Sequence, residues 1–308
     1  MSRRRSTFLI VNRHARRLAA GALLETLRSV QHARVIETAS LGDLEQAAHE
    51  IHREHGELVV LAGGDGTYME GVTALSRAFG DSPLPKIAFA PGGTVCTVAR
   101  NWGLRGDHMQ YTRTLLDAIA GERITVTKRP TLRVGARIGF IVGAGLVSRF
   151  FEEYEAAGAP GYGGAAKIVA RVFGGSFVGG ALAKRILTPV PCTIEVDGTP
   201  APFDRTSLFC ASVVEDLGLG MRLLYRAGER ADRFHVVATP LGPARLGPQM
   251  PLVLAGRPLL GTRVDALARE ALLRFSSEDA YVLDGELLRT REIRIVPGPE
   301  IDLVTPAD

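Results

Sequence analysis

The sequence predicts an α/β protein, with an N-terminal parallel α/β domain followed by a second, mainly antiparallel β domain. Through residue 128, short apolar runs alternate with amphipathic segments, which is typical of a parallel sheet covered by helices. Leu58–Leu61 is a near-continuous apolar run, as expected for a strand that is buried on both faces. After Arg129 and Pro130 the helical periodicity mostly gives way to short β-like runs, so a different kind of domain is predicted there.

In the first part, predicted strands and helices alternate along the chain. The strands are Thr7–Val11, Ala33–Thr38, Leu58–Leu61 and Ile87–Ala90. The helices are Leu18–Val30, a segment capped by Asp43, and Met69–Phe79, with a further helical stretch beyond Thr94. The segment after Asp43 places Leu44, Ala47, Ala48 and Ile51 on one apolar face.

The second part is dominated by predicted strands. They are Thr131–Val134, Ile138–Val142, Cys192–Val196, Ser207–Val214, Phe234–Thr239, Ala271–Ser276 and Glu292–Val296. Asp197 and Gly198 are a hairpin signal between two such runs. The exception is Phe150–Ala183, which is predicted to be helical in part with a glycine-rich middle. Leu241–Leu246 is predicted to be a loop, because Gly and Pro flank it.

Composition and charge exclude several classes of protein. The net charge of +4 is mild and no nucleic-acid-binding signature accompanies it, so no nucleic-acid partner is expected. The three cysteines lack the spacing of a disulfide framework or a zinc site, which favours a reducing cytoplasm. Phe8–Val11 is too short for a signal peptide. The apolar stretches Ile138–Ser148 and Val172–Ala183 fall short of the roughly 20 residues of a spanning helix, so any lipid contact is expected to be peripheral.

Two predicted strands run directly into glycine turns, at Gly63–Thr67 and at Pro91–Thr94. Ligands of open α/β sheets bind at the carboxyl ends of the strands, where glycines let backbone N–H groups approach an anion. The spacing matches neither a Walker A loop nor the dinucleotide fingerprint. The sequence therefore predicts a phosphate site of another kind at this edge.

Asp65 is the informative residue of the first turn. A carboxylate beside phosphates is repelled unless it binds a metal ion or accepts a proton from an attacking hydroxyl. The alternative is that Asp65 only shapes a tight turn, as aspartate often does. The residues alone leave both interpretations open.

Three motifs together resemble a known family of kinases. The run Leu61–Thr67, with Glu70 three residues on, resembles the signature loop of diacylglycerol kinases, sphingosine kinases and their bacterial relatives. The run Pro91–Arg100 resembles their second nucleotide loop, and Leu283–Glu286 resembles their third motif. The motifs occur in the family order and cover most of the chain, so the chain is identified as similar to the diacylglycerol kinase group.

The resemblance implies an ATP- and Mg²⁺-dependent lipid kinase, with ATP bound between a Rossmann-like α/β domain and a β-sandwich. The implied domains are 1–129, completed by about 297–308 of the sequence, and 130–296. The implied nucleotide-binding residues are Asn12, Thr38, Gly63, Gly64, Gly66, Thr67, Gly93 and Thr94. The implied base is Asp65 or Glu286, with Asp284 beside the latter. The acceptor would be a diacylglycerol-like or sphingoid lipid reached from the cytoplasm at the membrane surface.

Some positions depart from the family pattern. Cys96 stands where the family usually has Asn, and the first strand leads into the basic run Arg13–Arg17 instead of a small turn. A structural magnesium motif of bacterial members would place its aspartate at Ala231, but here the acid is Asp232, and the metal ligands of this chain stay unknown. These departures keep two alternatives open, a nucleotide-binding pseudokinase and a kinase of a soluble hydroxyl substrate. A homodimer is also open.

Two further clusters are ambiguous. His49, His52 and His55 have the spacing of one helix face, and a polar face is favoured over a metal site. Phe150, Phe151 and Tyr154 are expected to be packing residues. With the glycines of 158–164 they could alternatively form a wall for an acyl chain.

Overall fold

The computed structural model describes residues 6–15, 21–93, 95–158 and 161–307 of the chain. These residues divide into two compact units. The first unit comprises the described residues through Thr131 and those from Pro299 onward, and the second is Leu132–Gly298.

The first unit alternates strands and helices as predicted. Its strands are β1 (Thr7–Asn12), β2 (Arg34–Thr38), β3 (Leu58–Gly63), β4 (Lys86–Pro91) and β5 (Ile124–Arg129), and it also contains β17 (Ile301–Pro306) from the far end of the sequence. Its helices are α1 (Ala22–Arg28), α2 (Leu41–Arg53), α3 (Asp65–Phe79), α4 (Thr97–Asn101) and α5 (His108–Ala120).

Within the described residues, the strands of this unit form one sheet in the order β2-β1-β3-β4-β17-β5. Every neighbouring pair is parallel except β17 with β5. This confirms the predicted parallel α/β fold. All six residues of β3 are buried, as its apolar run predicted. The strand order places the carboxyl ends of β3 and β4 side by side near the middle of the sheet.

Two helix starts differ from the sequence-based prediction. The cap of α2 is Ser40, whose hydroxyl accepts the N–H of Asp43, while the Asp43 carboxylate accepts the N–H of Ser40. Asp43 is therefore the third helical residue of a capping box, not the cap itself. Helix α3 begins at Asp65 rather than at Met69, so the first glycine turn runs into the helix itself. Glycine is a poor helix former, and the prediction therefore placed the start too late.

The second unit consists of strands and a group of helices. Its strands are β6 (Leu132–Val134), β7 (Arg137–Gly139), β8 (Ile141–Gly145), β9 (Val190–Val196), β10 (Thr199–Pro200), β11 (Arg205–Thr206), β12 (Leu208–Ser212), β13 (Phe234–Thr239), β14 (Val264–Ala268), β15 (Ala271–Leu283) and β16 (Glu286–Pro297). Its helices are α6 (Leu146–Ala156), α7 (Gly161–Val178), α8 (Ala181–Leu187), α9 (Pro243–Leu246) and α10 (Met250–Leu254), with a 3₁₀ turn at Gly247–Gln249.

The pairings among these strands are antiparallel, which confirms the predicted antiparallel β domain. The long strand β15 connects two groups of strands, because its first half pairs with β9 and its second half with β8. Its pairing with β16 is irregular between Arg274 and Asp279, where the strand changes partners. The predicted hairpin turn at Asp197 and Gly198 is confirmed, and both residues have positive φ.

Two predictions for the second unit were wrong in detail. Leu241–Leu246 is not a loop throughout, because Pro243–Leu246 forms the short helix α9. Proline is compatible with the first turn of a helix, where its missing N–H would have no partner. Ile138–Val142 is not one strand, because Phe140 interrupts it between the end of β7 and the start of β8.

Membrane-spanning potential is limited to one bent pair of helices. In the described ranges, no single helix is both long and apolar enough to cross a bilayer. Helices α7 and α8 reach the required length and composition only together, and they meet at a bend of 101°. Gly179 and Gly180 occupy the break, and Gly179 has a φ of 66°.

Candidate active site

Backbone hydrogen bonds connect the carboxyl ends of β3 and β4 past the last pair of residues in the sheet. Gly63 is paired with Pro91, and the Gly63 carbonyl then accepts the N–H groups of Gly92 at 2.7 Å and Gly93 at 3.0 Å. The two predicted glycine turns therefore form one continuous rim at this edge of the sheet.

The rim has no room for a side chain at two of its glycines, Gly63 and Gly93. A Cβ at Gly93 would lie 2.6 Å from the Cα of Gly64, so the two backbones touch directly. A Cβ at Gly63 would lie 2.3 Å from the Thr67 hydroxyl oxygen. Since contacts under 3.0 Å do not occur for real Cβ atoms, both positions require glycine for the observed approach.

Helix α3 presents an uncapped N-terminus to this rim. No side chain caps it at Gly64, and Gly66 and Thr67 lie in its first turn. The first N–H groups of a helix have no partner within the helix, and the helix dipole favours an anion there. A 15-residue helix with free first-turn donors and two glycine turns at its start therefore fits a phosphate group.

Asn12 and Thr67 meet at the same edge. The Asn12 amide donates to the Thr67 hydroxyl at 2.9 Å, while its carbonyl oxygen accepts the N–H of His14 at 2.9 Å. The second bond fixes the orientation of the amide. Thr38 is paired with Asn12 at the end of β2, but it is buried and its hydroxyl is 3.5 Å from the Val11 carbonyl.

Asp65 connects the two glycine turns through its side chain. One carboxylate oxygen accepts the N–H of Thr97 at 2.8 Å, and the other accepts the N–H of Val98 at 2.9 Å. Thr97 and Val98 are the first two residues of α4, the helix that follows the second glycine turn. The carboxylate of Asp65, in the first glycine turn, therefore caps this helix. Burial raises the pKa of the Asp65 carboxyl, although the two N–H donors act in the opposite direction.

Cys96 precedes α4 in a left-handed conformation, with φ of 51°. Among residues other than glycine, asparagine is the one that most often adopts this conformation, and cysteine is uncommon there. The thiol is buried and lies 3.7 Å from the Gly63 carbonyl oxygen. Burial raises the pKa of Cys96 to about 12, so it is a neutral thiol that packs against the rim.

In the second unit, Asp284 has the same kind of bonding as Asp65. It is only 4% exposed, and its two carboxylate oxygens accept the N–H groups of Phe140 and Ile141, each at 2.9 Å. A Cβ at Gly139 would lie 2.6 Å from one of these oxygens, so the approach depends on glycine. Asp284 and Gly285 both have positive φ and form the two-residue turn between β15 and β16.

Glu286 follows this turn and differs from both aspartates. Its carboxylate receives one hydrogen bond, from the Arg137 guanidinium at 3.0 Å, and its side chain is 40% exposed. Its second oxygen has no hydrogen-bond partner within the described residues. Of the predicted carboxylates, Glu286 is therefore the one with an oxygen free to accept a proton.

The partners of these carboxylates were not found from the sequence. Thr97 and Val98 act through backbone N–H groups, which carry no side-chain signal. Arg137 lies 149 residues before Glu286. The two residues meet only because of how the strands pair, and the spacing in the sequence does not reveal that pairing. Gly139 had a detectable signal, since it is a glycine inside a predicted strand.

The remaining predicted candidates have other partners or lie outside the described residues. Thr94, Arg16 and Arg17 lie outside them. Among those described, no group of three His, Cys, Asp or Glu side chains converges to hold a metal, and this includes the histidines of α2. Asp232 is paired with Arg269 and Arg230, which lower the pKa of Asp232 to about 2. Phe150, Phe151 and Tyr154 contact one another on α6.

The first unit is thus an α/β fold with a glycine rim whose backbone donors could receive a phosphate group, an arrangement that occurs in many phosphotransferases. Residues 6–127 match the family model of the diacylglycerol kinase catalytic domain. The chain is therefore similar to this family over residues 6–127, which confirms the predicted resemblance. The chain is accordingly a phosphotransferase with an alcohol acceptor.

Solved structures with the same fold include three from Bacillus anthracis str. Sterne. The first, of a protein assigned as a diacylglycerol kinase, has a TM-score of 0.71 at 17% identity, covering 99% of this chain and 97% of that one. A second has a TM-score of 0.64 at 16% identity, covering 98% of each chain. The third, of a diacylglycerol kinase, has a TM-score of 0.62 at 15% identity, covering 99% of this chain and 98% of that one. A search of curated protein sequences found no match.

Proposed function

We propose that the chain transfers the γ-phosphoryl group of ATP to a hydroxyl group of a diacylglycerol-like or sphingoid lipid. The observation that carries this proposal is the rim at the ends of β3 and β4, in a domain of the diacylglycerol kinase catalytic family. Its touching glycine turns and its uncapped helix supply backbone donors for phosphate groups. Two domains are proposed, with residues 1–129 and about 297–308 binding the nucleotide and 130–296 completing the active site.

The proposed nucleotide-binding residues are those of the rim and its immediate neighbours. Backbone N–H groups at the start of α3 would bind phosphate oxygens, and the Thr67 hydroxyl, held by Asn12, would add a side-chain donor. The full proposed set is Asn12, Thr38, Gly63, Gly64, Gly66, Thr67, Gly93 and Thr94. Thr38 would contribute mainly by fixing the end of β2, since its hydroxyl faces the backbone.

Magnesium fits this proposal as a companion of the nucleotide. Mg²⁺ is usually bound by one or two carboxylates together with substrate phosphates and water, and it seldom has a cage built from protein alone. When bound, Mg²⁺ would neutralise charge on the phosphates during transfer.

Glu286 is the proposed base among the three candidate carboxylates. Both oxygens of Asp65 and both of Asp284 already accept backbone N–H groups, which favours positioning roles for these two. Glu286 keeps one oxygen available, and Arg137 orients it through the other. Glu286 would accept the proton of the acceptor hydroxyl as the oxygen–phosphorus bond forms and ADP leaves.

The decisive experiment supplies γ-labelled ATP and Mg²⁺ with different acceptors. These are a total lipid extract, liposome-embedded diacylglycerol, sphingoid bases and soluble polyols. Label in a lipid product supports the proposal, and its position identifies the acceptor class. Label in a polyol alone would assign a soluble substrate. Thermal stabilisation by ATP without any transfer would identify a nucleotide-binding pseudokinase.

Replacing Gly93 by Ala is expected to raise the KM for ATP about tenfold, because small displacements of positioning groups are costly. The added Cβ would lie 2.6 Å from the Gly64 Cα and push the two turns apart. Gly42→Ala is the matched control, since its Cβ would meet only the Ser40 hydroxyl oxygen at 3.7 Å. ATP titrations of both variants test the prediction, and an unchanged KM in Gly93→Ala would contradict it.

A further inference from the structure

Helix α7 has a buried face and an opposite face of unusual composition. Ile168, Val172 and Ser176 are buried and recur at helical spacing. They belong to or adjoin the core that α8, α9 and one face of the sheet share. The face opposite them is exposed, and its residues are Gly163, Ala166, Lys167, Ala170, Arg171, Gly174, Phe177 and Val178.

An exposed helix face of a globular protein is normally polar and carries charges of both signs. Here it consists of small and apolar residues with two cations. Phe177 is 61% exposed and Val178 is 83% exposed. The whole sequence from Gly161 to Leu187 contains no Asp or Glu.

The segment around α9 and α10 continues this surface. Its exposed residues include Leu254, Leu260, Arg245 and Arg257, and the sequence 243–260 also has no Asp or Glu. This segment packs against α7, because a Cβ at Gly247 would lie 2.2 Å from the Ser176 side chain. Within the segment, the Gln249 amide is hydrogen-bonded to both the N–H and the carbonyl of Leu260, which fixes the position of Leu260.

We call these exposed residues the helical patch. Its apolar members are Phe177, Val178, Leu254 and Leu260, and its cations are Lys167, Arg171, Arg245 and Arg257. Within the described residues none of these cations forms an ion pair. Glu153 of the neighbouring helix α6 is paired with Arg185, so it does not neutralise them. The patch therefore combines exposed apolar side chains with uncompensated positive charge.

This combination selects the kind of partner. A second copy of the patch would bring four cations against four cations, and like charges in contact oppose association. An anionic bilayer offers both negative headgroups for the cations and an acyl boundary for the apolar side chains. The 101° bend between α7 and α8 also suits helices that lie along a surface rather than cross it.

We propose that the helical patch docks this protein onto an anionic lipid bilayer. Phe177, Val178, Leu254 and Leu260 enter the boundary between headgroups and acyl chains, while the four cations bind lipid phosphates. The inference rests on the proposed function in one respect, because a lipid acceptor would have to be reached at a bilayer. The surface itself is formed by α7, α9 and residues 250–260.

The test measures co-sedimentation with vesicles of phosphatidylcholine, with and without phosphatidylglycerol, in the absence of ATP. The unaltered chain is expected to bind the anionic vesicles more strongly, and the binding should weaken with salt. Lys167→Gln with Arg171→Gln is expected to lower the affinity at least about tenfold, since each cation near an anionic surface contributes about fivefold. Phe177→Ser with Val178→Ser is expected to cause a loss of similar size.

Matched control variants remove exposed cations and an exposed apolar side chain outside the patch. Arg53→Gln with Arg291→Gln removes two exposed cations outside the patch, and Leu41→Ser removes an exposed leucine of the first unit. Both are expected to bind vesicles like the unaltered chain. Equal binding by the patch variants, or no binding by the unaltered chain, would overturn the proposal. A dimer that the patch variants dissociate would also overturn it, since it would make a second copy the occupant.

A second readout separates this inference from the proposed function. Phosphorylation of a short-chain, water-soluble diacylglycerol should be unchanged in the patch variants, while phosphorylation of vesicle-embedded diacylglycerol should fall with their binding. Vesicle binding without phosphorylation of any lipid would refute the proposed function and leave the docking surface standing. Equal phosphorylation of the embedded lipid by patch variants and unaltered chain would refute the docking surface alone.

Discussion

Replacing Glu286 by Gln is expected to lower kcat for lipid phosphorylation by about 10²–10⁴-fold, the usual contribution of a positioned general base. The amide keeps the size of the side chain and can still accept a hydrogen bond from Arg137, but it cannot take up a proton. The free energy of unfolding should change by less than about 1 kcal/mol, because the pair is partly exposed and such pairs contribute little. The measurement is steady-state kinetics with γ-labelled ATP, together with chemical denaturation.

The same strand offers a matched control. Glu292 lies on β16 with its carboxylate 2.8 Å from Arg274, and both side chains are exposed. Glu292→Gln removes a similar ion pair at a position with no proposed role in catalysis, so kcat should be unchanged. A Glu286→Gln variant with the kcat of the unaltered chain would place the base elsewhere.

Arg137 should act as a positioning residue for this base. Arg137→Gln removes the guanidinium that orients Glu286 but leaves the carboxylate itself in the chain. We expect a smaller loss of kcat than for Glu286→Gln, with little change in the KM for ATP, because the carboxylate is retained but is no longer held in place by the guanidinium. A kcat equal to that of the unaltered chain would leave Arg137 with a structural role only.

Local patterns predicted most of the first unit correctly. The apolar run of β3 is determined by its own residues, and burial on both faces follows from the parallel sheet. The glycine turns were identifiable because the observed packing leaves no room for a side chain at Gly63 or Gly93, so the sequence has to carry glycine there. The roles of the carboxylates were not readable in this way, since each depends on donors far away in sequence.

Asp65 illustrates that limit. From the sequence it was a metal ligand, a base or a turn residue, but its partners are backbone groups 32 and 33 positions later. Asp284 repeats the pattern with partners 144 and 143 positions earlier. In both cases the motif aspartate fixes a second segment of backbone, a function that only the folded chain reveals. The short helix α9 was missed for a simpler reason, because Pro was taken as a breaker where it occupies a first turn.

Replacing Asp65 by Ala is expected to lower both stability and turnover. The N–H groups of Thr97 and Val98 lose their acceptors, which should cost about 1–2 kcal/mol of unfolding free energy, as for the loss of a helix cap. The second glycine turn then loses its tie to the first, and kcat/KM for ATP should fall by about 10²-fold through misplacement alone. Thermal and chemical denaturation with ATP titrations would measure both effects.

Asp107→Ala separates the two consequences. Asp107 caps α5 by accepting the N–H groups of Met109 at 2.8 Å and Gln110 at 3.2 Å, away from the glycine turns. Its loss should cost a similar amount of stability with no change in the KM for ATP. If Asp65→Ala instead lost turnover while keeping full stability and full ATP affinity, Asp65 would be the base and not the link between the turns.

The pH dependence of the unfolding free energy shows independently which protonation state of the Asp65 carboxyl the folded chain favours. Burial raises the pKa of the Asp65 carboxyl in the folded chain, so the folded state favours the protonated form. This preference stabilises the fold in full at pH values below the ordinary carboxyl pKa. The stabilisation is lost as the pH rises through the raised pKa. The difference in unfolding free energy between the unaltered chain and Asp65→Ala should therefore shrink from acid toward neutral pH. A difference that grew over this range would mean that the N–H groups of Thr97 and Val98 outweigh burial, with the ionised carboxylate as the favoured form.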